Sequence, residues 1–545
     1  MTTASSDSAA DLDRPSRDPA AVTSDIGLSN RLDRVNMLRD ALAGLMLVLA
    51  ALLPWNIYVG TSVSGTRGWV LGLIVGATLV SLASVLASRF GPSGADTDTS
   101  PHRLNSLRRL SSIPYLLLVV GFLVFAVEQQ IRLGGTTDVP PGLGPGVWFG
   151  AAGALIAAQP VIGTVGTYES PRTHRACRAV GIISLVLALL AVASTLYYRT
   201  RYVLSDAADS DISVQSIVVV VAAVLYGAVA LLPILIGARW MISGNVANRL
   251  ATVLLAISVL IASFLVWFLP VGREVDAFHG IAQATSTAGV GFEGYLAWCV
   301  VAAISGTPIL SSAFGGRATR FWVDAGRKSL LLIAAWCGGS AALRIVDLAT
   351  VSALDLPSQP YSDTALMACD LTTAVLAIWL MVNGTGEVAP KPLLSLLFGV
   401  LAVLTPCRAV LGVALVPRTE PLNPSAITDV YGNTLAQQIT STFDVAAAIL
   451  AIALLVIAVR AGGRAVAQPT VTLTHAPPPA PDGATVRIYR EPDATPAAPP
   501  ATPPATPPAD RVADVLAQST RRFAAGTTYT GAARTPSDES SGADR

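Results

Sequence analysis

Apolar runs of about twenty residues recur along the chain, separated by short polar stretches. A helix of this length spans the roughly 30 Å hydrocarbon core of a bilayer. Backbone polar groups find no partners in hydrocarbon, so each run is predicted to be helical. The runs lie at residues 39–59, 69–88, 113–132, 145–166, 179–198, 214–236, 250–271, 294–313, 329–350, 364–383, 392–416 and 442–460. This pattern predicts an all-α, polytopic bundle of about twelve transmembrane helices.

The two ends of the chain differ from this apolar region in composition. Residues 1–35 are polar and rich in Asp, Ser and Ala, and residues 465–545 are rich in Pro, Ala and Thr. Because such segments bury little apolar surface, both are predicted to be disordered tails. Between them, short similarities at an offset of roughly 210–220 residues indicate a parallel repeat, a known transporter architecture. Its two six-helix halves would be residues 36–249 and 250–464.

Cationic side chains are concentrated in alternate loops. Arg108 and Arg109 precede the third run, and Arg317 and Arg320 precede the ninth. The intervening loops are poorer in cations and hold several Asp and Glu residues; the exceptions are Arg67, Arg199, Arg201, Arg273 and Arg418. The positive-inside rule assigns the cation-rich loops to the cytoplasm. The chain is therefore predicted to be a multi-pass protein of the plasma membrane, with both termini in the cytoplasm.

The overall composition supports a membrane environment. Hydrophobic residues make up 52% of the chain and charged residues only 13%, whereas soluble domains carry about 25% charge. The mean hydropathy is +0.58. A lipid bilayer is therefore the expected partner. With a formal net charge of only +1, the chain has little excess positive charge to attract nucleic acid, which is not expected as a partner.

Motifs typical of enzymes and metal sites are missing from the sequence. There is no phosphate-binding G-x-x-x-x-G-K-[ST], no H-E-x-x-H and no G-x-S-x-G. The four histidines show no metal-ligand spacing; they are His102, His174, His279 and His475. We therefore predict no metal, no cofactor and no catalytic residue, and enzymatic activity is not favoured.

The strongest candidate site consists of charged residues inside the predicted helices. A charge at the bilayer centre costs about 2.5–3.5 kcal/mol on insertion scales, so it requires a partner or a function. In the predicted orientation, all of these charges lie in the outer part of the membrane. They are Glu128 and Arg132 in the third run, Arg344 and Asp347 in the ninth, Asp370 in the tenth, Arg408 in the eleventh and Asp444 in the twelfth.

Two interpretations of these charges stay open. In one, they line an outward-facing polar cavity, where arginines bind the carboxylate or phosphate of an anionic lipid or small molecule and the acids relay protons. In the other, they are ion pairs that hold helices together. Arg344 and Asp347 lie one helical turn apart and can pair, and Arg408 would pair with Asp370 or Asp444. Glu128, Arg132 and Asp444 would extend toward the interface.

Two glycine pairs with a spacing of four residues indicate close helix packing. They are Gly72 with Gly76 in the second run and Gly146 with Gly150 in the fourth. Small residues at this spacing allow helix backbones to approach in membranes. Because the chain has 45 glycines, chance is the alternative explanation.

The layout resembles conserved multi-pass membrane proteins of unknown function from mycobacteria and related actinobacteria. The resemblance rests on the polar N-terminal segment, the Pro/Thr-rich tail and a first helix that runs from Leu38-Arg39-Asp40-Ala41 to Leu53-Pro54-Trp55-Asn56. It implies a membrane bundle and no particular activity.

A second similarity is to the major facilitator transporters. The segment Asp324-Ala325-Gly326-Arg327-Lys328 is similar to the end of their Asp-Arg-x-Gly-Arg loop motif. That resemblance implies twelve helices with both ends in the cytoplasm. The loop at 89–112 lacks the motif, however, and the link at 237–249 is shorter than is usual in that family.

Two functions therefore compete. The first is a transporter-like or lipid- and anion-handling membrane protein that uses the outer charges as its site. The second is a non-catalytic scaffold or accessory subunit of a cell-envelope complex, which contacts a protein partner through the C-terminal tail. A membrane transferase is less favoured, because the predicted outer loops are short.

Overall fold

A computed structural model describes residues 19–57, 68–90, 101–133, 142–160, 170–209, 214–268, 290–313, 319–353, 360–384, 390–414 and 442–466. These stretches contain twelve helices, which we number α1–α12 in chain order. Their bounds are Pro19–Leu52, Gly68–Phe90, Pro101–Leu133, Pro145–Ala157, Pro171–Asp209, Val214–Ser243, Val246–Phe268, Phe292–Ala313, Thr319–Ala353, Pro360–Asn383, Lys391–Ala414 and Thr442–Val466. The predicted all-α bundle of about twelve helices is confirmed.

Eleven of the described helices are long and apolar enough to cross a membrane, and α4 is shorter. It has 13 residues, which corresponds to about 20 Å at 1.5 Å per residue. Within the predicted run at 145–166, α4 ends at Ala157, and residues 161–166 lie outside the described stretches. Pro160 accounts for this early end, because a proline disfavours helical conformation in the residue before it.

The first helix extends further toward the N-terminus than its apolar run. It begins at Pro19 and so includes residues 19–35, which the sequence assigned to the tail. Proline is favoured in the first helical turn because it has no N–H to leave unpaired. The helix ends at Leu52, since Pro54 cannot continue the backbone ladder. Residues 1–18 and 467–545, which contain most of both predicted tails, lie outside the described stretches.

Contacts between α1 and α4 establish two faces of the bundle. Arg39, early in the apolar part of α1, donates to the carbonyl of Pro160 beyond the end of α4. At the other end, the N–H of Gly144 donates to the carbonyl of Trp55. The two helices are therefore antiparallel. Arg39 lies at the face where α12 ends, which we call the terminal face. Trp55 lies at the face where α12 begins, which we call the distal face.

The short helix α4 lies inside the bundle. All of its residues except Leu155 are buried, and it packs against α1, α3, α7 and α8. Next to it, Asn56–Ile57 (β1) pairs antiparallel with Gly142–Leu143 (β2) at the distal face. Trp148 of α4 also donates to the hydroxyl of Ser263 on α7, at 3.1 Å. Protein contacts therefore surround this helix.

The outer surface of the bundle is apolar. Leu79 on α2, Leu117 on α3, Leu190 on α5 and Val403 on α11 are all more than half exposed. Soluble proteins rarely expose contiguous apolar surface on this scale, whereas a bilayer covers it. The chain is an integral, multi-pass membrane protein.

The last four helices form one packed group. α9 packs along α10, α11 packs along α12, and α10 contacts α11. α7 joins this group to the remainder of the bundle through contacts with α12 and α9. Among the first helices, α1 packs along α4 and α5 packs along α6. The division into two six-helix halves stays a prediction.

Candidate functional site

Four charged residues meet where α9–α12 approach the distal face. Arg344 lies late in α9 and Arg408 late in α11, whereas Asp370 and Asp444 lie in the first halves of α10 and α12. Since consecutive helices run in opposite directions, these positions coincide in depth. We call Arg344, Asp370, Arg408 and Asp444 the distal network.

Arg408 connects the two acids of the distal network. Its Nε donates to Oδ1 of Asp370, and its Nη1 donates to Oδ1 of Asp444. Arg344 donates from Nε to the other oxygen of Asp370, at 3.3 Å. The indole of Trp336 on α9 donates to Oδ1 of Asp444, at 2.5 Å. The resulting chain of hydrogen bonds crosses all four helices.

The spacing along α9 explains how these groups face inward. Trp336, Ser340, Arg344 and Asp347 are all buried. Their separations of four, four and three residues place them on one face of a helix. The same face that packs against α10 and α12 therefore carries the indole, a hydroxyl, a guanidinium and a carboxylate.

All members of the distal network are almost completely enclosed. Relative exposure is 0% for Asp370, 2% for Arg344, 3% for Asp444 and 4% for Arg408. Isolated charges at such positions would be strongly unfavourable. Mutual pairing offsets part of this cost, because each acid accepts from a guanidinium and Asp370 accepts from two. Removal of one charge without its counter-charge should therefore destabilise the bundle.

The structure brings together four of the seven candidate residues chosen from the sequence. Asp347 is also buried and lies one turn beyond Arg344 on α9. The remaining two are on α3, where Arg132 pairs with Glu128 four residues earlier, at 3.5 Å. Both of these side chains are more than half exposed. Their pair lies on the outer surface of the bundle, as expected for residues that extend toward the interface.

A second buried charge cluster was not anticipated. At the terminal face, the carboxylate of Asp40 on α1 accepts from three arginines: Arg39 beside it, Arg89 at the end of α2 and Arg108 early in α3. Asp40 and Arg108 are buried. We call these four residues the terminal cluster.

The terminal cluster also reaches the end of α4. Arg108 donates from Nε to the carbonyl of Ala157, at 3.0 Å, and Arg39 donates from Nη1 to the carbonyl of Pro160, at 2.7 Å. The carbonyls of the last helical turn lack helical partners, so guanidinium donors suit them. The cluster thereby joins α1, α2, α3 and α4. The sequence signal for it was an acid, Asp40, inside the first predicted helix.

The chemistry available to the distal network is binding of an anion or a proton. Guanidinium groups bind carboxylates and phosphates through paired hydrogen bonds, and the two carboxylates can accept protons. In the described stretches, no group of three or more His, Cys, Asp or Glu side chains is placed to hold a metal ion. The cysteines in these stretches carry free thiols.

A comparison with known protein families identifies the family of this chain. A family model described as a domain of unknown function (DUF7937) matches residues 36–461, which include the terminal cluster and the distal network. No curated protein and no solved structure matches the chain. Because the match covers more than half of the sequence, this integral membrane protein belongs to the DUF7937 family, a domain of unknown function.

Proposed function

We propose that this protein is a transporter-like protein of the plasma membrane that handles an anionic ligand at the distal network. The observation that carries the proposal is the sharing of Arg408 between Asp370 and Asp444 inside the membrane. A guanidinium held by two carboxylates can exchange one of them for an incoming anion while it keeps the other. In the predicted topology, with both termini in the cytoplasm, this exchange takes place on the outer side.

The energetics of buried charges favour such a role over a purely structural one. Replacement of a buried ion pair by well-packed apolar residues is often neutral or stabilising, so ion pairs are weak devices for holding helices together. Apolar side chains would join α9–α12 at lower cost. Four nearly enclosed charges at one depth are better explained if the arginines also serve a ligand.

The exchange conserves charge if a proton accompanies the anion. An incoming carboxylate or singly charged phosphate would displace Asp444 from Nη1 of Arg408. A proton taken up by the released carboxylate of Asp444 would then replace the lost pairing. One negative charge and one positive charge enter together, so the membrane interior gains no net charge. Asp370, held by Arg344, would keep its place.

The proposal can be tested by anion-dependent stability. The purified protein is heated in phosphate and in a series of carboxylates at two pH values, beside the double variant Arg408→Met/Asp444→Asn. This variant removes one cation and one acid together and leaves Asp370 paired with Arg344. At least one anion should raise the melting temperature of the wild type, more so at the lower pH, without affecting the variant.

Equal responses of the two proteins to every anion would contradict the proposal and favour a scaffold. In that case the ion pairs of the distal network would serve only to hold α9–α12 together. Protein partners would then be sought with the full chain, including residues 465–545.

A further inference from the structure

The helices that form the distal network enclose a cavity at their opposite ends. The cavity measures about 180 Å³ and opens between α9, α10, α11 and α12 near the terminal face. Its lining residues come from the start of α9, the end of α10, the start of α11 and the end of α12. Phe398, the lining residue of α11 that is nearest to Arg408 in sequence, precedes it by ten residues, or about 15 Å along the helix.

The walls of the cavity are largely apolar. Trp322 and Leu330 of α9, Phe398 of α11, and Leu454 and Ile457 of α12 line it. An engineered apolar cavity of about 150 Å³ is large enough to bind benzene. The volume therefore suits the end of one hydrocarbon chain, and is small for both tails of a two-chain lipid.

Two cations lie among the lining residues, Arg327 on α9 and Lys391 at the first position of α11. Arg327 is held by a hydrogen bond from its Nε to the carbonyl of Met381, at 3.0 Å, and both cations are exposed. The start of α11 adds the positive end of its helix dipole.

The described lining residues include no acid. Asp324, one turn before Arg327, does not line the cavity, and Glu387 lies outside the described stretches. The cations at the mouth suit the anionic head of an amphiphile, and the apolar walls suit its hydrocarbon chain.

We infer that this cavity binds a single-chain amphiphile with a carboxylate or phosphate head. The head would contact Arg327 and Lys391 at the membrane surface, where water is available, and the chain would enter between α9 and α12. In the predicted orientation the cavity opens to the cytoplasmic leaflet. This inference is separate from the proposed function, because the cavity can be occupied whether or not the distal network exchanges anions.

The chain offers a closely matched control for the cationic contact. It contains two lysines, Lys328 and Lys391. Lys328 is adjacent to Arg327 in sequence but does not line the cavity. Lys328→Gln therefore removes the same charge from the same protein without changing the mouth of the cavity.

The experiment uses the full chain in phosphatidylcholine nanodiscs and a diazirine-bearing twelve-carbon fatty acid as a photoreactive probe. Labelled peptides are identified by mass spectrometry. Unlabelled dodecanoate, lauroyl lysophosphatidate and the neutral dodecanol are added as competitors. Variants are Arg327→Gln/Lys391→Gln, Lys328→Gln and Ala458→Phe, the last of which fills the cavity from α12.

We expect labelling of the peptides that line the cavity, reduced about tenfold in the Arg327→Gln/Lys391→Gln protein, because two exposed ionic contacts are lost. Labelling should be unchanged in Lys328→Gln and lost in Ala458→Phe. Dodecanoate or lysophosphatidate should compete at concentrations about tenfold below dodecanol, and the stronger of the two identifies the head group. Equal competition by dodecanol, full labelling of the doubly neutralised protein, or label spread over the lipid-facing surface would each overturn the inference.

Discussion

Arg408 on α11 and Asp370 on α10 form an ion pair in which both side chains are buried, and each has a second partner. Arg408 also binds Asp444, and Asp370 also binds Arg344. The pair is thus the middle of a chain of charges across α9–α12. Removal of any single member takes one partner from at least one buried charged neighbour, which determines how variants should behave.

Neutralisation of Asp370 alone should destabilise the protein. In Asp370→Asn, two arginines lose a carboxylate inside the bundle, and the removal of one partner of a buried pair costs about 3–5 kcal/mol. We expect lower abundance and a lower melting temperature in the purified protein. The balanced variant Arg408→Met/Asp444→Asn should lose much less stability, since the new Asn side chain can still accept a hydrogen bond from Trp336. A balanced variant as unstable as Asp370→Asn would show that packing, rather than charge balance, governs this region.

Asp40→Asn should destabilise the terminal face to a similar extent. The carboxylate of Asp40 is shared by Arg39, Arg89 and Arg108, and its loss leaves three cations in close proximity. The expected cost is again about 3–5 kcal/mol. Glu128→Gln is the matched control, because it breaks an exposed pair, and such pairs contribute at most about 1 kcal/mol. The melting temperatures of both variants, measured by thermal unfolding, test this prediction. Equal decreases would mean that the terminal cluster does not stabilise the packing of α1–α4.

The two glycine pairs should respond differently to alanine. A Cβ on Gly146 would lie 2.7 Å from Cδ1 of Trp55 and 2.8 Å from the carbonyl oxygen of Leu53, whereas one on Gly72 or Gly76 would meet nothing within 4 Å. Gly146→Ala should therefore cost about 1–3 kcal/mol through overpacking. Gly72→Ala should be neutral or stabilise α2 by up to about 1 kcal/mol, because Ala favours helix. Melting temperatures of the two variants provide the comparison. Comparable destabilisation by both would mean that α2 packs more closely than described.

The alternation of helix direction makes a prediction about topology. Tags inserted at residues 314–318 and after residue 466 should lie on one side of the membrane, and a tag at residues 354–359 on the other. Accessibility to a membrane-impermeant reagent in intact cells measures this. The positive-inside rule places the first two tags in the cytoplasm. Exposure of the tag at 314–318 to the outside would reverse the orientation on which the proposed outer site depends.

Sequence patterns predicted the helices and the distal network for a clear physical reason. Spanning length and apolarity are local properties, and an acid such as Asp370 within an apolar run is visible without any knowledge of its partners. Because helix direction alternates, the depth of Arg344, Arg408 and Asp444 could also be compared before their contacts were known.

The terminal cluster was missed because helix ends do not coincide with the ends of apolar runs. The third run begins at 113, yet α3 begins at Pro101, so Arg108 belongs to a helix and not to a loop. Partner choice was predicted only in part. The expected pairing of Arg408 with Asp370 or Asp444 is found with both acids. The contact of Arg344 with Asp370 was not foreseen, and Asp444 is buried rather than extended toward the interface. Contacts between helices depend on rotation about the helix axes, which apolarity alone does not specify.

The most direct test of the proposed function is native mass spectrometry of the protein purified gently from its own membrane. The wild type is compared with Arg408→Met/Asp444→Asn at equal abundance, and small molecules released from each are identified. We expect an anionic species that is bound to the wild type and absent from the variant. If the two proteins carry identical small molecules, with or without a protein partner, the distal network is not a ligand site and the transporter-like proposal is wrong.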